Sequence, residues 1–156
     1  MKKDIQISYE YFKNSSELSD IENKLFERAK EARENAYAPY SQFLVGCSVL
    51  LENGEIYSGN NQENAAYPSG LCAERTAIFY AGANYPDAKI VTMAISAASD
   101  NNQTLAPIPP CGACRQSIAE YEFRQDYPIE IYFMGEKGSR SFTACTFTTS
   151  SFILEK

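Results

Sequence analysis

The chain has 156 residues, 44% of them hydrophobic and 22% charged, which suits one compact domain over 1–156 that buries roughly 70% of its unfolded surface. A formal net charge of -6 and the lack of any basic run argue against nucleic acid as a partner, because that affinity rests largely on phosphate neutralisation by Lys and Arg. Histidine is absent, which excludes Ser-His and Cys-His nucleophile pairs within one chain and leaves Cys, Asp and Glu as ligands for any transition metal.

At the N-terminus, Met1 to Gln6 is polar and unlike a secretion signal. No apolar run nears the roughly 20 residues that span a bilayer, so a cytoplasmic protein with no membrane partner is expected. Five cysteines, an odd number, in such a setting argue against a disulfide framework. Ile5, Ile7, Tyr9 and Tyr11 alternate with polar residues as in a short strand. Ser19-Asp20-Ile21-Glu22 is a capping box. The helix after it should set Ile21, Leu25, Ala29, Ala32 and Ala36 on one face and stop before Pro39.

Tyr40 to Phe43 reads as a turn into a buried strand, Leu44 to Leu51, and Asn53-Gly54 as the hairpin turn to an antiparallel strand, Glu55 to Gly59. Asn60 to Asn64 is a polar loop. A helix opens at Cys72, carries Arg75, Ile78, Phe79 and Ala81, and should end at Gly82. A third strand runs from Lys89 to Ser96, followed by a polar loop at Asp100 to Gln103. A further helix opens at Cys111 and carries Ile118, Ala119, Tyr121 and Glu122. Pro128 to Met134 forms a fourth strand, Gly135 to Gly138 a turn, and the segment around Ser141 to Ala144 a fifth. Strands that alternate with helices after a hairpin predict an α/β fold, a mixed sheet of about five strands covered by helices.

Two cysteine stretches hold the chemistry, Gly70 to Ala77 with Cys72 and Glu74, and Ile108 to Gln116 with Cys111 and Cys114. Both lie at predicted helix N-termini, where partial positive charge and unpaired amides favour thiolates. Cys111 and Cys114, three apart on a helical turn, face the same way and can grip one ion with Cys72 as a third ligand. Three protein ligands leave a fourth position for water, and a carboxylate at Glu74 stands beside it to carry its proton, as in a catalytic zinc site. Three thiolates weaken zinc as a Lewis acid. Arg75 and Arg115, each next to a ligand position, are candidates to donate hydrogen bonds to sulfur and draw that charge away.

Blander readings stand beside this one. A lone C-x-x-C is as often redox-active or a structural half-site, and a structural four-cysteine site would recruit Cys47 or Cys145, both of which otherwise read as inert buried thiols.

At these residues the chain resembles the cytidine deaminase family. Cys72-Ala73-Glu74 and Pro110-Cys111-Gly112-Ala113-Cys114 match the three-cysteine form of the zinc deaminase signature. The likeness extends to Tyr40-Ser41-Gln42-Phe43-Leu44-Val45-Gly46 and to Asn61-Gln62-Glu63-Asn64-Ala65-Ala66-Tyr67, and covers roughly residues 29 to 135. It implies a cytidine deaminase-like α/β/α sandwich with one Zn2+ per chain on Cys72, Cys111 and Cys114. Glu74 would move the proton between water, the cytosine ring and the departing ammonia. Asn61 and Glu63 would bind the ribose 3'-hydroxyl, Phe43 would stack near the base, and backbone at Ala73 would read its edge. The implied reaction turns cytidine or deoxycytidine into uridine or deoxyuridine in pyrimidine salvage. The implied assembly is a homotetramer whose sites are lined by neighbouring chains, with Tyr67 a candidate there.

The chain departs from the family in two places. Its tail, Phe147 to Phe152, lacks the family's Leu-Leu-Pro stretch while keeping a phenylalanine at Phe152, and residues 1–18 form an N-terminal arm beyond the family core. Competing functions are deamination of a base within nucleic acid or of a nucleoside antibiotic, and a zinc-stabilised binding module without turnover. The acidic charge opposes the nucleic acid reading, and Glu74 opposes the module.

Overall fold

The computed structural model describes residues 9–99, 107–136 and 142–148, with the backbone alone for residue 99, for 135 and 136, and for 142–148. The described elements, in chain order, are β1 (Glu10–Phe12), α1 (Asp20–Arg33), β2 (Phe43–Leu51), β3 (Ile56–Asn60), α2 (Ala73–Asn84), β4 (Ile90–Ser99), α3 (Gly112–Gln125), β5 (Glu130–Glu136) and β6 (Phe142–Thr148). Ile5 and Ile7, the Asp100 to Gln103 loop, the turn at Lys137 and Gly138, and the tail with Phe152 lie outside the described residues.

The strands form one six-stranded sheet in the order β1-β6-β5-β4-β2-β3. The β4–β5 pair is parallel, with α3 as its crossover, and every other pair is antiparallel. This is the expected mixed sheet, of six strands where about five were expected, the sixth being the short N-terminal strand that the alternation through Tyr9 and Tyr11 suggests, here Glu10–Phe12 paired with β6.

The hairpin forms where Asn53-Gly54 predicts it. Gly54 sits at φ 87, in the left-handed region glycine enters without steric cost, and Leu51 N–H donates to Glu55 O at 2.9 Å.

Helices cover both faces. On one, α1 buries Leu25 and Phe26 with Leu18, Ala94, Tyr132 and Met134. On the other, Ala73, Ala77, Ile78 and Ala81 of α2 and Ile118 of α3 pack on Val49, Met93, Ile95 and Ile131. Gly46 lets α1 cross β2 at close range: a Cβ there would lie 1.9 Å from the Ala29 carbonyl oxygen.

The capping box at Ser19 is complete, with Ser19 N–H donating to Glu22 Oε2 at 2.6 Å and Glu22 N–H donating to Ser19 Oγ at 3.4 Å. The apolar stripe differs from the predicted one. Ile21 is 40% exposed, Ala36 lies beyond the helix, and Phe26 takes the buried position. Glu22 explains part of this, since its Oε1 accepts from the Tyr132 hydroxyl at 2.5 Å and turns the first turn's polar side toward β5. The helix also stops well before Pro39, because Tyr37 N–H is used by Asn61 O at 3.0 Å in a bridge to the loop after β3.

Gly82 does not end α2, which runs on to Asn84. Its lack of a side chain instead admits Tyr121 of α3, whose hydroxyl would lie 2.3 Å from an added Cβ. Phe79, expected among the helix's apolar residues, is 40% exposed.

Candidate metal centre and active site

The sheet topology places the chemistry at one end. Phe43 at the start of β2 pairs with Ser99 at the end of β4, and Gly46 pairs with Asn60 at the end of β3. The chain leaves that same end twice, from β3 into the loop before α2 and from β4 toward α3. Both helix N-termini therefore return to it. The loop is tied down by a two-way ladder in which Gln62 and Leu71 exchange N–H···O bonds at 2.9 Å, so Asn61 to Glu63 lie beside the residue preceding Cys72.

Cys72 and Cys111 are the N-cap residues of α2 and α3, each in extended conformation and neither using its side chain as a cap. N-cap side chains ordinarily turn back to the first-turn amides. Here both thiols turn toward each other. Their sulfurs lie 3.9 Å apart, and Cys114, in the first turn of α3, lies 3.4 Å from Cys111. All three sulfurs fall within 4.8 Å of one another, and they are free thiols. A disulfide needs about 2.05 Å, so these spacings are not bonds. A tetrahedral zinc with Zn–S near 2.3 Å spaces its sulfurs about 3.8 Å apart, which the two direct distances bracket. The donor set and its spacing fit zinc.

Among the described residues this is the one group of three or more metal-ligand side chains gathered closely enough to hold an ion, and Cys47 is not in it. Cys47 is fully buried in β2, where burial pushes its thiol well up, so the four-cysteine alternative loses that ligand. The Cys145 side chain lies outside the described residues.

Electrostatics in the cluster are uneven. A hydrogen bond from the Cys114 thiol, opposed by burial and aided by the Arg75 guanidinium, draws Cys72 down to about 5. The same bond, with burial and the nearby Glu74 carboxylate, raises Cys114. Arg75 Nη2 lies 3.7 Å from Cys72 Sγ, a charged donor within reach of the sulfur. Glu74, in the first turn of α2, is 5% exposed, and its carboxyl is pushed up mainly by burial, with the Cys72 charge adding to it. Arg115 is half-buried in the first turn of α3, its N–H bonded to Cys111 O.

The other predicted site residues take distinct places. Ala73 is fully buried at the first position of α2. Phe43 is half-buried and opens β2. Asn61 is buried, and its side chain clamps β2 on either side of Leu44, accepting from Val45 N–H at 2.8 Å and donating to Phe43 O at 2.9 Å. Glu63 accepts from the amides of Tyr40 and Ser41 at 3.0 and 3.2 Å and from the Ser41 hydroxyl. That hydroxyl chiefly, with the amides aiding and slight burial opposing, holds the Glu63 carboxyl below its ordinary range. Tyr67 is 89% exposed in a short 3-10 turn and touches none of this cluster's described hydrogen bonds. Ser41 is the residue sequence reasoning passed over. It falls in the predicted turn and in the family-like stretch Tyr40 to Gly46, with no role of its own assigned there, and its partner Glu63 lies 22 residues away.

Three convergent thiols at the starts of α2 and α3, with a buried acid in the first turn of α2, set at one end of a mixed sheet covered on both faces, define a zinc-dependent hydrolase. Comparisons agree on which kind. Residues 19–127 match the cytidine and deoxycytidylate deaminase zinc-binding region. The chain is 49% identical over 102 residues to a cytidine deaminase of Sporosarcina psychrophila, covering 65% of this chain and 70% of that protein. It is 47% identical over 96 residues to a cytidine deaminase of Halalkalibacterium halodurans, covering 62% and 68%. The crystal structure of cytidine deaminase from Burkholderia pseudomallei superposes with a TM-score of 0.69 at 34% identity, over 85% of this chain and 96% of that one. The chain belongs to the cytidine and deoxycytidylate deaminase family.

Proposed function

We propose that the protein is a cytoplasmic pyrimidine-salvage enzyme that hydrolyses free cytidine and deoxycytidine to uridine and deoxyuridine with release of ammonia. The observation that carries this reading is the set of three sulfurs at zinc spacing with buried Glu74 two residues after Cys72 in the first turn of α2. Cys72, Cys111 and Cys114 hold Zn2+, which when bound makes water nucleophilic near neutral pH. Glu74 takes one proton from the attacking water and gives it to the ring nitrogen of cytosine, then takes the second from the hydroxyl added at C4 and gives it to the amine that leaves as ammonia. Burial suits this carboxyl to the task, because it shifts the pKa upward and so makes the protonated form easier to reach during turnover.

The remaining roles are those the family resemblance implies. Phe43 stacks on the base, the Ala73 backbone at the start of α2 reads its edge, and Asn61 and Glu63 take the 3'-hydroxyl. A neutral nucleoside matches a chain with a net charge of -6 and no basic run. Exposed Tyr67 is available to a neighbouring subunit of a homotetramer, an assembly that light scattering on the purified protein reads directly.

The test is the fall in absorbance as cytidine becomes uridine, with zinc content measured on the same sample. Turnover is expected; its absence in a zinc-replete chain overturns the reading. Arg75 is assigned to withdraw charge from Cys72, and Arg115 the same duty at the second stretch. Replacing Arg75 with glutamine is expected to lower kcat about 10-fold or more with zinc retained, the usual cost of losing a group that tunes a metal ligand. Unchanged kinetics would remove Arg75 from the mechanism.

A further inference from the structure

The turn that carries Phe43 is built in an unusual way. Gln42 sits at φ 53, in the left-handed region, although it is not glycine. A residue so placed needs its neighbours to over-determine it. They do. Gln42 N–H donates to Ala38 O at 3.0 Å. On one side of it, Tyr40 and Ser41 give both amides and a hydroxyl to the Glu63 carboxylate. On the other, Phe43 N–H donates to Ser41 Oγ at 3.1 Å and Phe43 O accepts from Asn61. Glu63 is in turn fixed by its own N–H bond to Tyr37 O at 2.9 Å.

One side chain joins the two halves. The Ser41 hydroxyl has one proton, which goes to Glu63 Oε1, and lone pairs, one of which takes the Phe43 amide. Donation to the carboxylate polarises the hydroxyl and strengthens it as the acceptor from Phe43. Removing it leaves Glu63 with two amide donors, both on Oε2, so Oε1 is free to swing. It also leaves Phe43 N–H without this acceptor.

We propose that Ser41 is a positioning residue for substrate specificity: through one hydroxyl it aims the Glu63 carboxylate at the sugar and holds Phe43 at the base. The inference rests on the nucleoside reading above and deepens it. Ser41 touches no substrate in this account. Its effect through Phe43 is common to all nucleosides and is the smaller one; its effect through Glu63, the larger, needs a 3'-hydroxyl on the sugar.

Wild type, Ser41→Ala and Ser41→Thr are compared on cytidine and on 3'-deoxycytidine, with thermal melting and zinc content recorded for each. Ser41→Ala is expected to raise KM for cytidine about 10-fold, the loss of a hydrogen bond to a charged acceptor, with kcat changed much less. The same variant should change KM for 3'-deoxycytidine by less than about 3-fold, because the atom Glu63 serves is missing from that substrate. Ser41→Thr keeps the hydroxyl and should restore cytidine KM to near wild type. The inference is overturned by equal losses on both nucleosides, by no loss on either, by failure of threonine to rescue, or by a Ser41→Ala chain that does not fold. Absence of cytidine turnover in zinc-replete wild type is a different result. It removes the nucleoside reading and this inference together.

Discussion

Replacing Glu74 with glutamine lowers kcat for cytidine by roughly 10²- to 10⁴-fold, the range a positioned general acid–base contributes, while the protein keeps its zinc. The substitution is nearly isosteric, so the buried site at the start of α2 is still filled and the three sulfurs keep their spacing. What is lost is the proton carrier. Glutamine can accept and donate hydrogen bonds but cannot take a proton from water and give it to the base. Stability should move the other way. Burial raises the Glu74 carboxyl, so the folded protein disfavours its charge; the stability tied to the protonated form is present below the unfolded pKa and lost as pH rises through the folded value. At pH 7 a neutral side chain there removes that burden, and Tm is expected to hold or rise, the familiar exchange of stability for activity at a catalytic site. Stopped activity with zinc lost as well would mean that Glu74 holds the site together and is not its acid–base group. Unchanged kcat in a zinc-replete sample would remove Glu74 from the chemistry.

What was legible in the sequence was mostly local. Ser19 and Glu22 are three residues apart, and both bonds of their capping box form, because the geometry of one helical turn is enough to determine them. Asn53-Gly54 is equally self-contained. The placement of Cys72 and Cys111 at helix starts was legible for the same reason, and Cys114 followed from the three-residue step. The convergence of Cys72 on the other pair was legible from the zinc deaminase signature that the two stretches resemble, helped by the lack of histidine, which leaves few residue types to bind a metal.

What was not legible depends on partners far along the chain. Gly82 reads as a helix terminator until Tyr121 of α3 is seen to occupy the space its side chain would fill. Ile21 fits a helical stripe, yet Glu22 beside it is claimed by Tyr132, 110 residues away, and Phe26 takes the core position. Helix α1 does stop before Pro39, but already at Arg33, because the loop after β3 captures the Tyr37 N–H that a longer helix would need. Asn61 and Glu63 look like solvated loop residues in isolation. The structure gives both a second task, folding the Tyr40 to Val45 segment, which explains how a polar loop can be stiff.

Cys114→Ser is expected to abolish both zinc retention and activity, and to cost stability as well. Cys114 is completely buried in the first turn of α3, whereas Cys111 is exposed and Cys72 half-buried. A hydroxyl is a far poorer zinc ligand than a thiolate, and an alcohol at this depth lacks the sulfur's tolerance for apolar surroundings, with a cost of about 1–3 kcal/mol for a buried polar group left without its partner. Because ligand binding stabilises only the folded chain, loss of zinc removes a further contribution that grows with zinc concentration in the wild type. Cys111→Ser should therefore lose zinc to a similar degree but melt higher than Cys114→Ser, since its own side chain already meets solvent. Cys47→Ala separates the two effects from the opposite direction. It deletes a fully buried thiol of β2 that stands outside the cluster, so it should lower Tm through lost packing while zinc per chain stays at the wild-type value. Atomic absorption after dialysis, read beside thermal melting, decides the matter. Zinc loss in Cys47→Ala would make Cys47 a fourth ligand and close the position that the hydrolysis needs open, whereas retention of zinc by Cys114→Ser would break the three-thiolate assignment.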